Sequence, residues 1–121
     1  MIQVLYVDDE PDIREIAALA LGLDPEFTVT SCASGMDALQ VAADDVPDVI
    51  LLDVMMPVMD GPTTLQRLQH DPRTASVPVI FITARTQPQD VATFTALGAI
   101  GTIAKPFDPM QLAQQVRALL G

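Results

Sequence analysis

The sequence predicts an α/β sandwich in which a parallel sheet of five strands lies between two layers of helices. Three observations predict it. Short strand-like runs recur five times, and each is followed by a segment with apolar residues at helical spacing. Ten prolines punctuate the chain, most of them where a helix can begin or a strand be entered. Several of the strand-like runs are apolar throughout, which is the pattern of strands covered on both faces.

Ile2 to Val7 is a β-branched apolar run, and Pro11 opens a helix with Ile13, Ile16, Ala17 and Ala20 on one face. Phe27 to Ser31 alternates as a second strand. The helix after it carries Ala38, Leu39 and Ala42 inward and stops before Pro47. Val49 to Leu52 is a buried third strand, after which Pro62 starts a helix directed inward by Leu65 and Leu68. Val79 to Ile82 repeats the buried-strand pattern. A fourth helix is expected from about Pro88 to Leu97, ended by Gly98 in a left-handed conformation. Gly101 to Ala104 is the fifth strand, and Leu112, Ala113, Val116, Leu119 and Leu120 trace the apolar stripe of a closing helix.

A chain of 121 residues supports one hydrophobic core region, so residues 1–121 are expected to form one domain, with no linker or separate output domain. Sixteen acidic residues against six basic ones give a net charge of −10, which disfavours nucleic acid and anionic membranes as partners. Cys32 stands alone, which excludes an internal disulfide and a cysteine metal cluster and fits a reducing compartment. The first residues lack the basic-then-apolar pattern of a secretory signal, and the uncharged tract Val91 to Ala104 is too short for a membrane span. A cytoplasmic location is expected.

Five polar residues follow the apolar runs directly: Asp8 and Asp9, Asp53, Thr83, and Lys105, the only lysine. In an open parallel sheet the carboxyl ends of the strands share one edge, where ligands bind. The flavodoxin-like strand order 2-1-3-4-5 makes the first and third strands neighbours and brings three carboxylates together. Such a cluster must protonate or bind a cation, and a hard divalent ion, Mg²⁺ above all, suits oxygen ligands and phosphate alike. The Lys105 ammonium and the Thr83 hydroxyl are then fitted to hold phosphoryl oxygens. Taken singly, an aspartate or threonine after a strand is commonly a turn or helix cap, and a lysine a solvated surface residue. Those readings leave the joint placement at four strand ends unexplained.

Val7-Asp8-Asp9-Glu10, Asp53-Val54-Met55-Met56-Pro57 with Asp60-Gly61, Thr83-Ala84 and Lys105-Pro106-Phe107 together resemble the signature of response-regulator receiver domains of two-component signalling, in the right order over nearly the whole chain. The resemblance implies that Asp53 accepts a phosphoryl group from a histidine kinase or histidine phosphotransfer protein. It implies Mg²⁺ held by Asp9, Asp53 and the main-chain carbonyl of Met55, with Asp8 acting through water, and an acyl phosphate held by Lys105 and Thr83. Catalysis would rest on positioning and charge neutralisation. The chain would act as a signalling switch rather than an enzyme on other substrates.

The resemblance also implies a cis bond between Lys105 and Pro106, and room at Ala84 for Thr83 to move. It assigns Met55 and Arg85 to positions that tune the lifetime of the phosphorylated state. Met55 cannot orient water by a strong hydrogen bond and Arg85 can shield the phosphoryl group, so slow self-hydrolysis is expected. One departure stands out: Thr102 occupies a position that usually carries an aromatic switch residue, and Ala99-Ile100 replaces an acidic pair common in dimerising receivers. A monomer is expected, signalling through the face of the fourth helix, fifth strand and fifth helix. His70 is expected to be exposed, and Met55, Met56 and Met59 to pack the loop.

Two other readings share parts of this chemistry. A phosphatase of the haloacid dehalogenase type would need an Asp-x-Asp nucleophile motif after the first strand, where this chain has Asp8-Asp9. A receiver-like binding module that never carries phosphate would not need all five site residues.

Overall fold

Five parallel strands and five helices alternate along the chain as the punctuation predicts. The computed structural model describes residues 1–121. The elements are β1 (Ile2–Val7), α1 (Pro11–Leu21), β2 (Phe27–Cys32), α2 (Gly35–Asp44), β3 (Val49–Asp53), α3 (Gly61–His70), β4 (Val79–Thr83), α4 (Pro88–Ala96), β5 (Gly101–Ala104) and α5 (Leu112–Leu120). The sheet order is β2-β1-β3-β4-β5, all parallel, as expected.

The two-residue period of the strands divides the interior into two layers. Leu5, Val7, Ile50, Leu52 and Phe81 face α2, α3 and α4, where they meet Ala38, Ala42, Leu65, Leu68 and Phe94. Val4, Tyr6, Val49, Leu51, Ile80, Ile82 and Ile103 face α1 and α5, against Ala17, Ala20, Leu21, Leu112 and Val116. Each large apolar side chain withdrawn from water in this way contributes roughly 1.5–3 kcal/mol. The central strands β3 and β4 are buried at every residue, which is why they read as continuous apolar runs.

Helix ends follow local chemistry. Ser34 accepts a hydrogen bond from the Asp37 N–H (3.1 Å) and Asp60 from the Thr63 N–H (2.9 Å), capping α2 and α3. Gly98 follows α4 with φ of +111°, and the Gln69 amide donates to the Leu97 carbonyl at 2.9 Å, tying the end of α4 to α3. At the edge of the sheet remote from the strand carboxyl ends, the Arg117 guanidinium in the last turn of α5 pairs with Asp24 and Glu26 and lies over the Phe27 ring.

Several boundaries differ from expectation. β2, β3 and β4 each run one residue further, because Cys32, Asp53 and Thr83 still pair with Val7, Ile82 and Ala104. α4 stops one residue earlier, at Ala96. Ile16, expected on the inward face of α1, is 41% exposed, since the buried stripe centres on Ala17, Ala20 and Leu21. Met56 and Met59 pack the β3–α3 loop, whereas the Met55 side chain projects into solvent. His70 is exposed, as expected.

Gly61 at the start of α3 fixes how closely this loop approaches β3. A Cβ there would stand 2.5 Å from the Asp53 carbonyl oxygen and 2.8 Å from Val54 Cα. Both obstacles are backbone, so Gly61→Ala is expected to destabilise the fold by about 1–3 kcal/mol, the usual range for overpacking, as measured by urea unfolding. An unchanged midpoint would show that α3 shifts freely and that Gly61 sets nothing.

Candidate functional site

Sheet register assembles the site. Val7 pairs with Leu52, so Asp8 and Asp53 emerge side by side from β1 and β3. Thr83 pairs with Ala104, and the Lys105 N–H donates to the Thr83 carbonyl at 2.9 Å, which carries Lys105 over from the edge strand. The Lys105–Pro106 peptide bond is cis, as the resemblance implies.

The Lys105 ammonium reaches three carboxylates: Asp8 Oδ2 at 2.9 Å, Glu10 Oε1 at 3.3 Å and Asp53 Oδ2 at 3.4 Å. Burial alone would lower its pKa, but the hydrogen bond to Asp8 and the charges of Asp53 and Asp8 hold it above the ordinary lysine range. Asp8 is wholly buried and fully partnered. Its Oδ2 accepts from Lys105 and from the Tyr6 hydroxyl (3.2 Å), and its Oδ1 from the Glu10 N–H (3.0 Å). Asp53 is 3% exposed, and burial together with the Asp8 charge pushes its pKa up to about 6 against the opposing pull of Lys105.

Of the five sequence-predicted residues, Asp8, Asp53 and Lys105 are in direct contact. Asp9 stands next to them at the mouth, and carboxylate oxygens of Asp8, Asp9 and Glu10 lie within 4.8 Å of one another. Thr83 is buried with its hydroxyl accepting from the Arg85 N–H at 3.0 Å, which leaves its own proton free to donate elsewhere. Ala84, Arg85 and Met55 are exposed around the opening. The hard oxygen donors, the net negative charge left after Lys105, and the raised Asp53 pKa fit a divalent cation such as Mg²⁺.

Sequence reasoning missed three contributors. Glu10 shares Lys105, Tyr6 reaches Asp8 from inside the core, and Arg14 on α1 donates to the Asp8 carbonyl at 2.8 Å. Glu10 was legible only as part of an acidic run. Tyr6 carried a signal, being a hydroxyl on the buried face of β1 two residues before an aspartate. Arg14 had none. Burial and the Asp37 charge raise the Cys32 thiol pKa against the opposing pull of Arg14 across the α1–β2 gap.

The Asp53 shift makes stability depend on pH. Because the folded state raises this pKa, folded chains keep a proton that unfolded chains have already released, and the group's contribution to stability improves as pH falls through about 6. Asp53→Asn removes the buried charge, so in EDTA it is expected to be more stable than wild type at pH 7. That advantage should shrink by about 1 kcal/mol at pH 5, measured by thermal unfolding of both proteins. A gap that is constant or wider at pH 5 contradicts the burial argument.

The profile of the family described as "Response regulator receiver domain" matches residues 4–117. The chain is 38% identical over 120 residues to the DNA-binding dual master transcriptional regulator RpaA of Synechocystis sp., covering 99% of this chain and 49% of RpaA. It is 40% identical over 118 residues to the response regulator PleD of Caulobacter vibrioides, covering 97% of this chain and 26% of PleD. It thus spans about half the length of the first of these relatives and a quarter of the second. Among solved structures, the chemotaxis response regulator CheY4 of Vibrio cholerae superposes with a TM-score of 0.90 at 33% identity, over 98% of both chains. With the strand order 2-1-3-4-5 and the acidic carboxyl edge already in view, these likenesses agree on one conclusion: the chain belongs to the receiver domains of two-component response regulators.

Proposed function

We propose that residues 1–121 form a receiver that accepts one phosphoryl group on Asp53 from a histidine kinase or histidine phosphotransfer protein and signals by changing shape. The observation that carries this reading is the Lys105 ammonium bridging the buried Asp8 and Asp53 carboxylates at the sheet edge. With a pKa near 6, Asp53 is mainly ionised at neutral pH and able to attack. One of its oxygens bonds to phosphorus as the donor's phosphorus–nitrogen bond breaks, and the electron pair stays on the imidazole. Lys105 turns from the carboxylates to a phosphoryl oxygen, and the Thr83 hydroxyl donates to another.

Asp9, Asp53 and the Met55 carbonyl would hold Mg²⁺, with Asp8 behind them through water. When bound, the cation neutralises carboxylate and phosphoryl charge. Because the Thr83 hydroxyl holds the Arg85 N–H, movement of Thr83 toward the phosphoryl group draws the following loop with it. The exposed Met55 side chain offers attacking water no strong hydrogen bond, which supports slow self-hydrolysis.

Output is assigned to the face of α4, β5 and α5, and Ile100, which leads into β5, is 42% exposed. In place of an aromatic gate this face has Thr102, whose Oγ1 is buried without a hydrogen-bond partner. Its neighbour in the β4 register is Phe81, which stacks edge-on against Phe94 of α4 at 5.0 Å. We assign the chain to the cytoplasm as a monomer that binds neither nucleic acid nor membrane, in keeping with its net charge of −10. No helix is long and apolar enough to cross a membrane.

With Mg²⁺ and acetyl phosphate, intact mass is expected to show one added phosphoryl group, labile to alkali and hydroxylamine, absent from Asp53→Asn and decaying slowly after donor removal. Full labelling of Asp53→Asn would refute the assignment. Hydrolysis of common phosphate monoesters by the wild type would favour a phosphatase. Removing the orphan hydroxyl with Thr102→Val is expected to raise unfolding free energy by about 1 kcal/mol, in the range for an unmade buried hydrogen bond. Lower stability in that variant would mean that the hydroxyl has a partner after all.

A further inference from the structure

We propose that Tyr6 is a positioning residue for this chemistry: its hydroxyl anchors the Asp8 carboxylate from inside the core, so the chain's one tyrosine also reports cation binding. The inference rests on the reading of the Asp8–Asp9 edge as a Mg²⁺ site.

Tyr6 is fully buried in the layer between the sheet and helices α1 and α5, a slot that an aliphatic side chain could fill. A hydroxyl in such a place is costly unless bonded. Here it is satisfied by Asp8 Oδ2 at 3.2 Å, a side-chain partner on the same strand. The ring is held as well, since it meets Phe107 edge-on at 6.5 Å with an interplanar angle of 73°.

The arrangement on Asp8 gives the hydroxyl a specific task. Asp8 Oδ1 is fixed by the Glu10 N–H and Oδ2 by Tyr6 and Lys105. Lys105 is divided among three carboxylates and must leave Asp8 to hold a phosphoryl oxygen. Once it leaves, Tyr6 is the remaining side-chain donor on Oδ2. One anchor on each oxygen then keeps the carboxylate plane fixed, and Asp8 presents the same orientation to a hydrated cation before and after Lys105 moves. Outer partners of this kind commonly change metal affinity by 10–100-fold when removed.

Tyr6→Phe deletes the hydroxyl and keeps the ring. Mg²⁺ titrated by calorimetry into wild type and Tyr6→Phe is expected to show an affinity about tenfold weaker in the variant, with thermal unfolding in EDTA confirming that it folds. The chain has one tyrosine and no tryptophan, so ultraviolet-excited emission comes from Tyr6. In wild type that emission should change with Mg²⁺ at the calorimetric midpoint, a response that a tyrosine serving only to pack the core would not give. Equal Mg²⁺ affinity in folded Tyr6→Phe, or emission unmoved while Mg²⁺ saturates the wild type, overturns the proposal. Because the emission measurement uses the unaltered chain, it decides the matter even where the variant does not fold. Absence of Mg²⁺ binding by the wild type would instead overturn the reading of the site on which the proposal rests.

Discussion

One ammonium facing several carboxylates is the constraint around which the carboxyl edge is organised. Lys105 stands within hydrogen-bond reach of Asp8, Glu10 and Asp53, and a single positive charge cannot neutralise three negative ones. The imbalance is felt at Asp53, whose pKa is raised by burial first and by the neighbouring Asp8 charge second. A site in this condition favours whatever brings positive charge. It is held together meanwhile because the acids sit at the ends of strands that cannot separate without opening two apolar layers.

That rigidity is unevenly distributed. β1, β3 and β4, which carry Asp8, Asp53 and Thr83, are the most deeply buried strands of the sheet. The residues that the proposed switch would rearrange lie just beyond them, in the exposed residues from Ala84 to Pro88 and in the segment after Lys105. The fold thus separates a buried array of acids from an exposed rim, with Thr83 and Lys105 at the boundary between them.

Most of this was legible in the sequence because it follows from periodicity. Continuous apolar runs identified β3 and β4, and the residue type following each run identified Asp53, Thr83 and Lys105, since register alone carries strand ends to one edge. What escaped were contacts that depend on side-chain reach across elements. Arg14 braces the Asp8 carbonyl only because α1 folds back over β1, and nothing in its neighbours foretells that. Ile16 was misplaced for a related reason: four apolar residues at helical spacing do not say which edge of the stripe lies outermost. Met55 was grouped with Met56 and Met59 by proximity, whereas the turn after β3 directs neighbouring side chains to opposite sides.

The clasp of Arg117 onto Asp24 and Glu26 has a mechanical consequence for α5. It secures the helix at the end farthest from Lys105, where the chain leaves the last turn and β2 begins. With Leu112 and Val116 buried in the layer beneath the sheet nearer the acidic edge, α5 is fastened along its length, by packing at one end and by charge at the other.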